Sequence, residues 1–258
     1  MKEVFVNEKT LPLAYHAALL ALEQHGKVAT CKDYNQMQKE ISATMVIDSP
    51  LCEPMISRLY IGGFRELQQY VMEVLDGILD FKINASENAW EYTYHNRITA
   101  YPKNFNQLDF VIQELKRSPD SRRAVIDIRD NSIDPFVPHP ACLQHMQFLI
   151  RDNKLHMKCL MRSNDAPEAT FMNAFAFILL QKRVAFKLGI EMGSYTHRAN
   201  SFHCYEKDFG LLKQYVDGIK LKDHDDITYN YTEFYKELME EQIEDILMSV
   251  KALQNAVN

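Results

Sequence analysis

The chain has 258 residues, 47% of them hydrophobic and 25% charged, which is the composition of a folded globular protein. A formal net charge of −6 argues against a general nucleic-acid binder, and no apolar run approaches the ~20 residues that a membrane-spanning helix requires. The five cysteines are dispersed and form no CxxC pair, so we expect reduced thiols and a cytoplasmic location. No repeat or low-complexity linker divides the chain, which predicts one domain over residues 1–258.

The first half of the chain predicts three amphipathic helices. Residues 11–25 carry apolar side chains at helical spacing, and Gly26 follows them as a stop signal. A second helix is expected over residues 65–80. A third includes residues 108–115 and ends at Ser118-Pro119-Asp120, because the residue before a proline avoids the helical conformation.

In the second half the apolar spacing changes to that of strands. Three segments have this pattern: residues 124–128, 144–150 and 154–161. Asp152-Asn153 is a turn signal between the last two. Residues 171–188 are apolar around most of their circumference, which predicts a central buried helix, and the tail from Thr232 is acidic and amphipathic. Helices around a sheet without regular βαβ alternation indicate the α+β class.

Cys142 is notable because prolines at positions 138 and 140 restrict the chain before it. Its thiol therefore lies in a rigid turn before the strand at 144–150, where arginines or a helix N-terminus would stabilise a thiolate. Residue type alone leaves two interpretations open. One is a buried, inert cysteine, which is the more common case, and the other is a nucleophile.

Two arginine-containing segments lie at the ends of predicted strands. Arg122 and Arg123 precede the strand at 124–128, and Arg162-Ser163-Asn164-Asp165 ends the strand at 154–161. Guanidinium groups and a hydroxyl are the donors that a phosphate monoester requires. Solvated strand ends are also rich in arginine, so both interpretations stay open.

Three further polar features have apolar neighbours in the sequence. Asn173 is inside the most apolar helix, and a buried amide must be paired, either with local backbone or with a ligand such as uracil. Glu73 is on the buried side of its helix, where a carboxylate is either salt-bridged or has a raised pKa suited to proton transfer. His203 and Tyr205 share one face of a short predicted strand, a spacing that suits a sugar hydroxyl and is also common in protein cores.

Taken in order, these motifs resemble the thymidylate synthase family, and specifically its shorter, archaeal-type branch. Twenty residues separate Cys142 from Arg162, eleven more lead to Asn173 and thirty more to His203, as in that family. The matching segments are Tyr92–Arg97, Pro119–Arg123, His139–Gln144, Arg151–His156, Arg162–Asp165, Thr196-His197 and His203–Glu206. The resemblance covers about residues 92–209.

This resemblance implies a thymidylate synthase fold, with a mixed β-sheet packed by helices. It also implies an enzyme that transfers one carbon from 5,10-methylenetetrahydrofolate to C5 of a pyrimidine nucleotide, converting dUMP to dTMP. Cys142 would add to C6 of the base. Tyr94 matches the tyrosine associated with loss of the C5 proton, and Glu73 matches the glutamate that organises water and proton transfer near O4. Asn173 would contact the base.

The resemblance implies in addition how the phosphate is held. Arg162 and Ser163 would bind it within one subunit, while Arg122 and Arg123 of the partner subunit would reach it from across the interface. The expected assembly is therefore a sheet-mediated homodimer with shared active sites.

The remaining matched residues would contact the ribose and the folate. His203 and Tyr205 would bind the ribose 3′-hydroxyl, Asp165 would hydrogen-bond the pterin ring of folate, and Ala169 would line the folate pocket. No metal, nucleic acid or membrane is implied.

Three alternatives remain at this point. Relatives that hydroxymethylate dUMP, dCMP or CMP share the covalent start, and in them water replaces hydride at the last step; Asn173 favours uracil, because cytosine-specific relatives tend to place an aspartate there. A catalytically silent nucleotide- or RNA-binding relative would require neither Cys142 nor Tyr94. A hydrolase that paired Cys142 with His139 or His145 would leave the arginines unexplained.

Overall fold

The computed structural model describes residues 1–86, 88–232 and 234–257, without the side chains of Phe234 and Val257. In chain order the strands and helices are β1 (Glu3–Glu8), α1 (Leu11–His25), β2 (Lys27–Cys31), β3 (Gln36–Ile47), β4 (Ile56–Ser57), α2 (Phe64–Asp76), α3 (Tyr94–Thr99), α4 (Gln107–Arg117), β5 (Val125–Asp127), β6 (Leu143–Arg151), β7 (Lys154–Asp165), α5 (Thr170–Leu188), β8 (Glu191–Tyr205), α6 (Phe209–Leu221), β9 (Thr228–Tyr229), α7 (Phe234–Glu241) and α8 (Ile243–Val257).

The main sheet is mixed, and its strand order is β1-β3-β8-β7-β6-β5, with β2 paired to residues 36–40 of β3. The β1–β3 and β7–β8 pairs are parallel, and the other pairs are antiparallel. The β6–β7 hairpin reverses at Asp152 and Asn153, whose positive φ angles of 50° and 57° are those of a tight two-residue turn. The predicted α+β class and the predicted hairpin are both confirmed.

Helices α1 and α5 pack against the sheet. The inward side chains of β7 are buried and alternate with more exposed ones, which confirms the predicted half-buried pattern; they are Leu155, Met157, Cys159 and Met161. The outward side chains of the same strand, such as Lys158 and Leu160, are exposed or half-buried. One hydrophobic core therefore lies between the sheet and its helices, and the ends of β7 and β8 are held rigidly at its edge.

Helix α5 is the centre of this core, as its uniform apolarity predicts. Phe171 and Phe175 are buried, and the one long polar side chain among them, Gln181, is also buried. Its Nε2 donates to the carbonyl oxygens of Leu155 at 2.8 Å and Ser194 at 3.2 Å, so it joins α5 to both β7 and β8. This placement determines where Asn173, two turns earlier on α5, lies relative to the strand ends.

The predicted helix at 11–25 is confirmed, as is the end of α4 before Ser118. The prediction of a helix over 65–80 is wrong at its end: α2 stops at Asp76, because Gly77 has a φ of 67° and terminates it in the left-handed conformation. Among the described residues, no helix is both long and apolar enough to cross a membrane.

The strands before residue 50 are not among the predicted elements. In β3, Ile41, Ala43, Met45 and Ile47 are buried at alternate positions, a pattern that the sequence does contain. The prediction of a short strand around His203 is also wrong, because β8 has 15 residues and His203 lies near its C-terminal end.

Candidate active site

Cys142 lies in the turn that leads into β6, and Arg162 of β7 holds that turn. The Arg162 backbone N–H donates to the Cys142 carbonyl oxygen at 2.8 Å. The guanidinium donates from Nε to the Ala141 carbonyl oxygen at 3.1 Å and from Nη2 to the Pro140 carbonyl oxygen at 2.8 Å. Three hydrogen bonds from one arginine therefore fix the position of the cysteine, and the two that the guanidinium donates are charge-assisted.

The protonation of Cys142 reflects two opposing effects. Burial raises the pKa of this half-buried thiol, and the Arg162 guanidinium lowers the same pKa by a smaller amount. Because the thiolate is the nucleophilic form, the thiol is mostly protonated at neutral pH. Attack by Cys142 therefore requires that its proton be removed as the new bond forms, with Arg162 stabilising the sulfur's developing charge.

Three tyrosine hydroxyls connect the Cys142 turn to α2 and α5. Tyr94 Oη accepts the backbone N–H of the residue after Cys142 at 3.3 Å. Tyr92 hydrogen-bonds the Tyr94 side chain and the Cys142 backbone, and Tyr70 of α2 accepts a hydrogen bond from the Asn173 amide. Burial raises the pKa of all three phenols, that of Tyr92 to about 12. They are therefore neutral hydroxyls at neutral pH.

A pocket of about 420 Å³ opens beside these tyrosines. Its other described lining residues are Glu73, Val74, Leu79, Trp90, Glu91, Thr93 and His139. Cys142, Arg162 and Asn173 are not among the described lining residues, and the pocket meets them through the three tyrosines. Aromatic and aliphatic walls with a few polar groups suit a flat ring with a polar edge.

Glu73 is one of the two carboxylates among the described residues of this wall. It lies three residues after Tyr70 on α2, which places both side chains on one helix face. Burial raises the pKa of Glu73, although Gln69 donates to its carboxylate at 2.9 Å. A carboxyl group with a raised pKa beside neutral hydroxyls is suited to giving and taking protons.

Asn173 is buried, with 6% of its surface exposed, and both ends of its amide are paired. Its Oδ1 accepts from Asn164 Nδ2 at 3.0 Å, and its Nδ2 donates to Tyr70. The expectation that this amide is paired is confirmed, and both partners are side chains rather than local backbone, one at the end of β7 and the other on α2. One lone pair on Oδ1 and one N–H on Nδ2 remain for a ligand.

Ser163, His203 and Tyr205 lie together at the ends of β7 and β8. Ser163 Oγ and His203 Nδ1 are 3.5 Å apart, and Ser163 pairs in register with Ser201. The His203 and Tyr205 ring centroids are 4.7 Å apart, so the two rings pack edge to face as the shared-face prediction requires. Burial lowers the pKa of His203, which therefore offers a neutral imidazole. The Arg162 guanidinium also lowers the pKa of His203, so one cation lies within electrostatic range of these hydroxyl and imidazole groups.

Asp165 and Ala169 form the turn between β7 and α5. The Ala169 N–H donates to the Asp165 carbonyl oxygen at 3.2 Å, and the Glu168 N–H donates to Asp165 Oδ1 at 3.0 Å. Burial, with the nearby carboxylates of Glu168 and Asp208, raises the pKa of Asp165 to about 7. Asp165 therefore changes charge around neutral pH.

Arg122 and Arg123 are not brought to this cluster within one chain. They precede β5, which pairs antiparallel with β6 so that Val125 lies opposite Gln147. At ~3.3 Å per residue, the two arginines are roughly 20 Å along β6 from Cys142. Both are exposed, and Arg123 lies 3.5 Å from Glu114. They remain predicted phosphate ligands only in an assembly with a second copy.

Several residues of the site are absent from the sequence-based predictions. Tyr70, Tyr92, Asn164 and His197 belong to this group. The helical spacing of Tyr70 and Glu73 could have predicted the first. Asn164 and Tyr92 fall inside matched motifs, next to residues that were singled out. His197 also falls inside a matched motif, Thr196-His197, but its role depends on a partner 33 residues away.

Comparison with known proteins agrees with this geometry. The family model for thymidylate synthase matches residues 64–250. The chain is 32% identical over 220 residues to a provisionally named thymidylate synthase of Methanocaldococcus jannaschii, covering 81% of this chain and 95% of that protein. It is 28% identical over 214 residues to a similarly named protein of Methanosarcina barkeri, covering 83% and 95%.

Among solved structures, the fold is similar to that of the thermostable thymidylate synthase A from Bacillus subtilis. The TM-score is 0.67 at 16% sequence identity, and the match covers 86% of this chain and 96% of that chain. The molecule is thus a one-carbon transferase acting on a pyrimidine. The chain belongs to the thymidylate synthase family.

Proposed function

We propose that this enzyme converts dUMP to dTMP, with 5,10-methylenetetrahydrofolate as the one-carbon donor. The observation that supports this proposal is that Cys142, whose turn Arg162 holds, and Asn173 are both joined by hydrogen bonds to tyrosines that line one pocket, although they come from separate segments of the chain. A reactive sulfur can attack the base, a cation can bind the phosphate, and an amide with one unused donor and one unused acceptor can hold uracil. These are the groups that covalent attack on a uracil nucleotide requires.

In the proposed reaction, the Cys142 sulfur bonds to C6 of the pyrimidine, and electron density moves to C5 and O4. C5 then bonds to the methylene carbon of the folate, whose bonds to nitrogen break. After loss of the C5 proton, hydride from the tetrahydrofolate completes the methyl group, which gives dihydrofolate, and the bond between Cys142 and C6 breaks. Tyr94 lies beside Cys142 and takes part in removal of the C5 proton, while Glu73 exchanges protons near O4 through Tyr70 or water. The raised pKa of Glu73 supports the last role, because burial favours the protonated carboxyl group, which can donate.

The nucleotide's other groups have matching partners. Arg162 and Ser163 bind the phosphate, and His203 and Tyr205 bind the ribose 3′-hydroxyl. The Arg162 donors that now contact backbone carbonyls leave other guanidinium N–H groups for phosphate oxygens, since a guanidinium has five. The neutral state of His203 suits a hydroxyl rather than an anion.

The folate fits the described pocket on composition. Trp90, Val74 and Leu79 provide a flat apolar wall. Asp165, at the end of β7, would accept hydrogen bonds from the pterin N–H groups, and Ala169, in the turn that follows it, would line the same side. An ionised carboxylate accepts more strongly than a neutral one. Binding of the folate should therefore strengthen as pH rises through about 7, the pKa of Asp165.

A homodimer would supply the missing phosphate ligands. The outward face of the sheet carries Leu149 and Leu160 on neighbouring strands, half-buried in one chain. Two copies packed through this face would cover it and bring Arg122 and Arg123 of the partner subunit toward the phosphate. We expect Leu160→Glu to yield monomers in sedimentation analysis and to lower activity. A fully active monomeric variant would contradict the shared site.

The decisive experiment is mass spectrometry of the products formed from dUMP, dCMP and CMP with 5,10-methylenetetrahydrofolate. The proposal predicts a methyl group on dUMP and formation of dihydrofolate, because hydride transfer oxidises the folate. It also predicts a covalent adduct with 5-fluoro-dUMP that Cys142→Ser abolishes and that Cys52→Ser, a change at another half-buried thiol, leaves intact. Absence of any adduct would favour a catalytically silent binder.

A second candidate is a 5-hydroxymethylase, in which water replaces hydride. The observation that favours it is the charge in the pocket wall, where Glu73 and Glu91 lie beside the single tryptophan. A wall with carboxylates admits water more readily than an aromatic one. A hydroxymethyl product without dihydrofolate would establish this alternative.

A further inference from the structure

A chain of buried hydrogen bonds runs from Asn173 into the core of the sheet. Asn173 Oδ1 accepts from Asn164 Nδ2, and Asn164 Oδ1 lies 2.7 Å from His197 Nε2. His197 Nδ1 lies 2.8 Å from the Tyr195 hydroxyl, which lies 3.1 Å from Cys159 Sγ. All five side chains are buried, and His197 and Tyr195 have no exposed surface.

The members of this chain are electrically neutral. Burial lowers the pKa of His197 to about 3, raises that of Cys159 to about 12 and raises that of Tyr195 well above its ordinary value. A neutral imidazole donates from one nitrogen and accepts at the other. The two nitrogens of His197 therefore have opposite roles, and the choice of tautomer sets the direction of every hydrogen bond in the chain.

The sulfur end of the chain favours one direction. The Arg198 backbone N–H donates to Cys159 Sγ. The S–H of Cys159 itself therefore still needs an acceptor. With S–H donated to the Tyr195 oxygen, the Tyr195 O–H donates to His197 Nδ1, and Nε2–H donates to Asn164. In the opposite direction the thiol hydrogen has no acceptor in this sequence of bonds, and an unpaired buried donor is unfavourable.

The other end of the chain agrees with this direction. Asn164 then presents its amide N–H to Asn173 Oδ1, and Asn173 Nδ2 donates to the Tyr70 oxygen. Tyr70 keeps its own O–H for Glu73 or for a ligand, since both residues line the pocket. Asn173 thus keeps two hydrogen-bonding positions for a ligand, one lone pair on Oδ1 and one N–H on Nδ2, and their arrangement is fixed.

We propose that Asn164 and His197 are positioning residues that set the preference for uracil over cytosine by holding the Asn173 amide in one orientation. This rests on the proposed function. In that orientation Oδ1 accepts uracil N3–H and Nδ2 donates to O4. Cytosine offers an acceptor at N3 and a donor at N4, so it requires the amide to be reversed. Reversal is unfavourable because Asn164, His197, Tyr195 and Cys159 would all have to exchange donor and acceptor roles.

The test measures kcat/KM for dUMP divided by kcat/KM for dCMP. Asn164→Asp replaces the amide donor with an acceptor, so Asn173 must turn its N–H toward Asp, and the ratio should fall by at least about tenfold. His197→Phe should also lower the ratio, because it frees Asn164 to rotate while keeping the ring that stacks 6.4 Å from Phe177. The 5-fluoro-dUMP adduct shows that each variant retains a working site.

A matched pair of substitutions separates this role from general stability. Tyr195→Phe removes one buried hydroxyl from the chain, and Tyr15→Phe removes another, which donates to the Ala166 carbonyl at 3.0 Å outside it. We expect the dUMP-to-dCMP ratio to fall only in the first, and by less than in His197→Phe, because Cys159 Sγ lies 3.3 Å from His197 Nδ1 and is a weaker donor to it than the lost hydroxyl. A purely structural contribution would leave the ratio unchanged in both.

The tautomer provides an independent measurement on the unaltered protein. Long-range ¹H–¹⁵N NMR should show His197 protonated at Nε2 and unprotonated at Nδ1 across neutral pH. Protonation at Nδ1, or an unchanged ratio in Asn164→Asp and His197→Phe when both still form the adduct, would overturn the proposal. Failure of the unaltered protein to form the adduct would instead count against the proposed function.

Discussion

The two sides of the candidate site are built differently. On the nucleotide side, Asn173, Asn164 and His197 are buried polar groups on regular elements, and each is hydrogen-bonded to a fixed partner. On the side proposed for folate, Glu73 and Asp165 are carboxylates whose pKa values burial raises, and Glu73 lines an open pocket that includes Trp90.

This difference indicates where specificity is set and where proton chemistry takes place. A network with every donor paired resists rearrangement, so it can discriminate between two bases of similar shape. Carboxyl groups whose pKa values are raised by burial respond to pH and to bound ligand, so they suit proton exchange and a second substrate. Substitutions on the nucleotide side should therefore change the choice of base, whereas substitutions on the other side should change the dependence on pH.

The largest effect is expected at the sulfur between the two sides. Cys142→Ser should lower kcat by roughly 10⁴-fold, the scale of losing a covalent nucleophile, while circular dichroism and thermal unfolding stay near those of the unaltered protein. Turnover within tenfold of the unaltered enzyme would contradict the covalent scheme.

On the nucleotide side, Arg162→Ala should raise KM for dUMP by about 10–100-fold, because a charge-assisted hydrogen bond contributes ~1.5–3 kcal/mol. The pKa of Cys142 should also rise, since Arg162 is the group that lowers it. The pH midpoint of iodoacetamide alkylation measures this change. Arg162→Lys keeps the charge, so its midpoint should lie closer to that of the unaltered protein.

The base-reading amide is tested by Asn173→Asp. A carboxylic acid at this position can donate its O–H to cytosine N3 and accept a hydrogen bond from the N4 amino group. The preference should therefore move toward dCMP by about tenfold or more. Competition binding of dUMP and dCMP measures the change. If affinity for both nucleotides stays as in the unaltered protein, Asn173 does not contact the base.

Acid should unfold the protein through its buried histidines. Burial lowers the pKa of His16 and His197 to about 3, whereas unfolded histidine has a pKa near 6.5. The unfolded state therefore binds more protons below pH 6.5. Stability is full above that pH and falls as pH decreases toward 3, by up to ~1.4 kcal/mol per unit for each histidine. Urea unfolding at several pH values checks this, and His197→Phe should reduce the slope.

The smallest effect is expected on the folate side. Asp165→Asn should raise KM for 5,10-methylenetetrahydrofolate several-fold at pH 8 and less at pH 6, where the carboxyl is already largely protonated, given a pKa of about 7. KM for dUMP should change little. A variant with the same pH dependence as the unaltered enzyme would show that Asp165 does not titrate in folate binding.

Local patterns in the sequence predicted the elements whose causes are local. The bounds of α1, the end of α4 and the β6–β7 turn follow from apolar spacing, a proline and two residues suited to positive φ. Cys142, Arg162 and Asn173 were identified by their order and intervals, together with a resemblance to a family. In the fold, Cys142 directly precedes β6, Arg162 is on β7 and Asn173 is on α5. The intervals between them therefore bring the three residues to one end of the sheet.

Contacts between distant segments decided the rest. Tyr70 meets Asn173 across 103 residues, and His197 meets Asn164 across 33. A hydrogen bond of this kind depends on how strands pair and how helices pack, and no local pattern encodes either. The sequence by itself determined which residues could do the chemistry. Only the tertiary structure decided how the amide of Asn173 is oriented, because burial turns isolated polar groups into a network in which each must be paired.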